Sequence, residues 1–90
     1  NSVIETCCYV EKNSIRRVPL TKAPCETLRT LLSSVKAYET LTVEAAMTGE
    51  RQTALRALAC NPITADLDRA QPCLLEMLEQ NRSLLPNFFA

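Results

Sequence analysis

The chain has no histidine, no tryptophan and a single glycine, Gly49. Without histidine it cannot build a Ser–His or Cys–His nucleophile couple, nor complete a Cys/His zinc site. With one glycine it cannot form a GxGxxG dinucleotide fingerprint or a phosphate-cradling loop. Its longest apolar stretches are far shorter than the roughly 20 residues needed to cross a bilayer. The opening "NSVIETCCYV" lacks the basic-then-apolar layout of a secretory leader. Ten Lys and Arg balance ten Asp and Glu, and the basic groups are scattered. That argues against nucleic acid or an anionic membrane as a partner. The expectation is a soluble, cytoplasmic protein.

Five cysteines are present, Cys7, Cys8, Cys25, Cys60 and Cys73. They form an odd set with no CxxC pair, and adjacent Cys7 and Cys8 would point to opposite faces of a strand. They read as small apolar packing residues in a reducing compartment. Ninety residues suffice for one domain, which buries roughly 60% of its unfolded surface and is marginal alone.

Punctuation divides residues 1–22, extended or hairpin-like, from a helical part, 23–90. In the first part the polar "EKNS" separates two β-like runs. This predicts a hairpin, with Asn13 the best site for a positive φ. Pro19 and Pro24 then bracket an extended connection. From about 25 to 48 there is neither glycine nor proline, and Gly49 follows as the expected C-cap. That predicts one long helix of about 36 Å. Its apolar face would run through Leu28, Leu31, Leu32, Val35, Tyr38, Thr42, Ala45 and Ala46, with Ser33 and Ser34 outside it or at its edge.

A second helix, Arg51 to about Cys60, should turn Ala54, Leu55, Leu58 and Ala59 inward and stop before Pro62. Asp68 and Gln71 have capping-box spacing and would open a third helix with Pro72 in its first turn. That helix should bury Leu74, Met77, Leu78 and Leu85. The expected fold is mainly α: a three-helix unit with an N-terminal β-hairpin or extended segment.

Two polar residues fall on faces otherwise apolar. Glu39 lies mid-stripe on the long helix and Asn81 on the inner side of the third. Each is a candidate buried or cleft-facing polar group, satisfied inside the fold or turned towards something outside it. No catalytic, cofactor-binding or metal-ligating residue is assigned. Ser33 and Ser34 have no neighbouring base, and Glu76 with Glu79 reads as a solvated helix face.

The run "VKAYETLTVEAAMTGERQTALRALACNPIT", followed by "DRAQPCLLEMLEQNRSLLPNF", resembles the C-terminal end of the family 4 glycoside hydrolases of 6-phospho-β-glucosidase type. "VIETCCYVEKNSIRRVPL" resembles that family's "VVEVPCYVDKNGI" segment. Thr6 and Cys7 replace its Val-Pro, Ser14 stands where glycine is usual, and Asn61 replaces a histidine. The resemblance implies the C-terminal helical fragment of a larger α/β enzyme that uses NAD and manganese. The NAD fold, metal ligands and catalytic tyrosine would lie upstream of this segment. It implies oxidation at the sugar's C3, removal of the C2 proton and elimination of the aglycone, an exception to the two-carboxylate scheme.

The implied partners are the upstream NAD-binding domain, further copies of the protein and a 6-phospho-sugar substrate. Two alternatives remain: a stand-alone helical interaction module, and a 6-phospho-α-glucosidase of the same family.

Overall fold

In the computed structural model, which describes residues 3–64 and 66–90, two strands pair antiparallel before the helices begin. Strand β1 is Cys8–Glu11 and β2 is Ser14–Arg17, with Val10 opposite Ile15 and Tyr9 opposite Arg16. Alternation therefore puts Val10 and Ile15 on one face with Cys8 and Arg17, and Tyr9, Glu11, Ser14 and Arg16 on the other, more polar face. On the polar face the Arg16 guanidinium lies 5.4 Å from the Tyr9 ring centre and 3.7 Å from Glu11. Both faces are exposed. Lys12 and Asn13 make the turn, but Asn13 does not take a positive φ. The primed turn favoured by two-residue hairpins is thus not used, which correlates with serine rather than glycine at position 14.

Helix α1, Glu26–Thr48, begins after Cys25, whose extended backbone (φ −61°, ψ 160°) serves as the N-cap. It ends where predicted. Gly49 adopts a left-handed conformation (φ 73°, ψ 12°) and its N–H returns to the carbonyl of Ala45 at 2.8 Å. Hydroxyls of Thr30, Ser33, Ser34, Thr40, Thr42 and Thr48 each donate to the backbone carbonyl four residues earlier. These bonds let a helix so rich in Ser and Thr satisfy its own polar groups.

Helix α2, Arg51–Cys60, has the expected bounds. It folds back along α1, placing Ala59 to Pro62 beside the first turns of α1. Helix α3, Leu67–Gln80, starts earlier than the capping-box spacing implied. Asp66 is its N-cap, with Oδ1 accepting from the Asp68 N–H at 3.0 Å. Pro72 is consequently the sixth helical residue, outside the first turn, and the Asp68 carbonyl loses the N–H it would have received. Two 3-10 turns, Arg82–Leu84 and Pro86–Phe89, carry the chain back to α1.

The core is small in both extent and side-chain size. Ala45, Ala57, Ala70, Leu78 and Thr53 are the buried residues among those described. Alanines at the α1–α2 contact allow close approach but bury little apolar area, and burial stabilises by only about 25 cal/mol per Å². The radius of gyration, 17.2 Å, exceeds the roughly 12 Å of a compact chain this long.

The five cysteines do not serve as the packing residues expected. All are free, with four exposed and Cys60 half-buried.

Candidate functional site

The face that α1 turns to α2 is centred on Ala45, with Ser34, Tyr38 and Leu41 beside it. At about 100° per residue, Leu28, Val35, Glu39 and Ala46 lie roughly 80–120° away around the helix. The helix carries two apolar stripes, and the expected single stripe merged them. Glu39 belongs to the one that α2 leaves open, which sets aside the buried alternative expected for it and leaves the outward-facing one. Its carboxylate pairs with the Lys36 ammonium and its side chain remains about half exposed. The same ammonium donates to the carbonyl of Val3, holding the N-terminal segment against the helix. Ser34, expected outside or at the edge, is instead half-buried on the α2 side.

Asn81 is also not interior. It is the C-cap of α3, exposed, and its Nδ2 donates to the Met77 carbonyl at 2.8 Å. This is a local capping role. Met77, expected inside, is half exposed, while Leu78 on the same helix is buried.

Two clefts lie along α1. The larger, about 660 Å³, opens where α2 ends short of the α1 N-terminus. Thr27, Thr30, Leu31 and Ser34 line one wall and Ala59 to Pro62 the other. Since Thr30 and Ser34 spend their protons on backbone carbonyls, they offer only lone pairs to an occupant. The Cys60 thiol joins these hydroxyls on the lining, and no lining residue is a histidine or lysine. The second cleft, about 220 Å³, is apolar. Tyr38, Thr42, Ala54, Leu74, Leu85 and Phe88 are among its walls.

Sequence reading missed the C-terminal anchor. Asn87 Nδ2 donates to the Ala46 carbonyl at 3.0 Å, and Arg51 donates to the Phe88 carbonyl at 3.3 Å. The guanidiniums of Arg51 and Arg82 lie 5.2 and 4.3 Å from the Phe89 ring centre, within cation–π range. Glu79 holds Arg82 at 3.2 Å. These contacts span up to 41 residues, so no local spacing announces them.

Among the described residues no group of three or more His, Cys, Asp or Glu could hold a metal ion. No described helix is long and apolar enough to cross a membrane. Hydroxyls do meet carboxylates among the described residues, Ser14 with Glu11 at 3.4 Å and Thr53 with Glu50, but neither pair lines a cleft. What the arrangement offers is surface: two clefts and an uncovered stripe.

Comparison with known proteins gives a consistent picture. Residues 1–64 match the family described as the family 4 glycosyl hydrolase C-terminal domain. A probable 6-phospho-beta-glucosidase of Bacillus subtilis (strain 168) is 35% identical over 89 residues, covering 99% of this chain and 20% of that protein. The 6-phospho-beta-glucosidase BglT of Thermotoga maritima is 35% identical over 80 residues, covering 89% of this chain and 19% of that protein. The chain thus spans about a fifth of the length of these curated relatives. No solved structure matches it.

Proposed function

The chain belongs to the family 4 glycosyl hydrolases, and we propose that it forms the C-terminal part of a cytoplasmic enzyme that hydrolyses 6-phospho-β-glucosides. The observation that carries this reading is the 35% identity to two 6-phospho-β-glucosidases over nearly the whole chain. The helical unit would pack on an upstream NAD-binding domain, help wall the sugar-phosphate site and contribute to contacts between subunits.

The residues here do not fit the family's cofactors. There is no histidine and only one glycine, and no described cluster suits a metal ion. NAD and manganese would therefore be held by the remainder of the enzyme, and no chemical step is routed through this chain. Its contribution is to support and enclose. The hydroxyl-lined cleft along α1 supplies acceptor groups of the kind that face a polyhydroxylated ligand.

The test is turnover of a chromogenic 6-phospho-β-glucoside in the presence of NAD and Mn²⁺. The intact enzyme should cleave it and the 90-residue chain should not. Preference of the intact enzyme for the 6-phospho-α-glucoside would overturn the substrate assignment, and turnover by the short chain would overturn its supporting role.

A further inference from the structure

The open stripe of α1 is an apolar helix face that the chain's own packing leaves uncovered. Leu28, Leu32 and Val43 are 45%, 46% and 65% exposed, on the side of the helix that α2 does not reach. The whole chain exposes 7720 Å², about 2,500 Å² more than a compact protein of its mass. That excess is larger than the roughly 800 Å² each partner hides in a standard interface. We propose that this stripe, with Glu39 at its centre, is the surface on which the preceding part of the same polypeptide docks in the intact enzyme. The inference rests on the reading of the chain as the C-terminal part of a longer hydrolase.

Two observations select that occupant over a second copy, and a third sets the chemistry it must present. The matched family is a C-terminal domain, and about four-fifths of each relative's length lies outside the match. Lys36 holds the Val3 carbonyl, so the first described residues lie at the edge of the stripe, mid-helix. Val3 thus lies beside the face, and a polypeptide tethered through it would meet that face at the high effective concentration that a short tether confers. Finally, Glu39 has Lys36 as its one described ion-pair partner. A carboxylate oxygen pair accepts several hydrogen bonds, and covering it without further donors is costly. The docking surface is therefore apolar with an N–H donor or a cation opposite Glu39.

Side-chain oxidative footprinting of the intact enzyme tests this, with Leu28, Leu32 and Val43 read by mass spectrometry against the same residues in urea. The measurement is made at a dilution where light scattering reports monomer. Docking by the preceding polypeptide predicts that most of the labelling seen in urea is lost in the folded monomer. Full labelling of the stripe in the folded enzyme would overturn the proposal. Protection that vanishes on dissociation of an oligomer would also overturn it, assigning the stripe to a second copy. Activity towards a 6-phospho-β-glucoside is assayed on the same sample. An inactive enzyme with a protected stripe refutes the catalytic reading alone, and an active one with a labelled stripe refutes the docking alone.

Discussion

Gly49 combines two demands that few residues meet. Its φ of 73° lies where side chains are strained, and a Cβ there would sit 1.9 Å from the Asn87 carbonyl oxygen. The C-terminal turn is seated directly on the glycine. Gly49→Ala should therefore destabilise the chain by on the order of 1–3 kcal/mol, read as a lower urea midpoint. An unchanged midpoint would show that Asn87 does not rest on the elbow. Glu39 leads to the opposite expectation. A half-exposed pair one helical turn apart contributes less than about 1 kcal/mol, so Glu39→Gln should scarcely move the same midpoint. A loss of several kcal/mol would mean that the acid is buried after all.

Among the elements, α3 carries its own flaw. Pro72 deprives the Asp68 carbonyl of a partner inside a 14-residue helix, and proline in a helix interior costs about 3 kcal/mol relative to alanine. Pro72→Ala should raise the melting temperature and the helical circular dichroism signal together. A fall in either would imply that the residue fills a contact beyond the helix. Asp66→Ala should act in reverse, costing about 1 kcal/mol through the lost cap. The hairpin differs from the helices in having little to hold it. A lone two-stranded ribbon is marginal in water, and Val10 and Ile15 are exposed at 78% and 75%.

For the molecule as a whole, the balance between close helices and a thin core sets behaviour. Small residues at the α1–α2 contact leave the 220 Å³ apolar cleft beside Ala54. Filling it with Ala54→Leu should add about 1 kcal/mol of stability in chemical denaturation. Destabilisation would show that the helices already touch there. The chain's 7720 Å² of exposed surface, with Leu28, Leu32, Val43, Val10 and Ile15 all open to water, is more than a compact monomer of this mass leaves. The 90-residue chain should accordingly self-associate, visible as a concentration-dependent mass in light scattering. A strict monomer with a high, concentration-independent melting temperature would count against that.

Local chemistry was legible along the chain. The glycine- and proline-free run with Gly49 after it fixes α1 to within a residue, "NP" ends α2 at Cys60, and "EKNS" places the hairpin, because caps and breakers act over a single turn. The lack of histidine and of a glycine fingerprint is the reason no catalytic role was assigned to this chain's residues, and the long "KAYETLTVEAA…TGERQTAL" match pointed to the family. Periodicity could not decide which side of α1 is covered. Two apolar stripes lie roughly a quarter-turn or more apart on one helix, and a hydrophobic pattern records that a face is apolar without recording what meets it. Packing against α2 chose the Ala45 face, leaving Glu39 outside. Packing likewise drew Asn87 onto the end of α1 and Phe89 between Arg51 and Arg82, since contacts between residues some 40 apart in sequence exist only once the helices have folded back on one another.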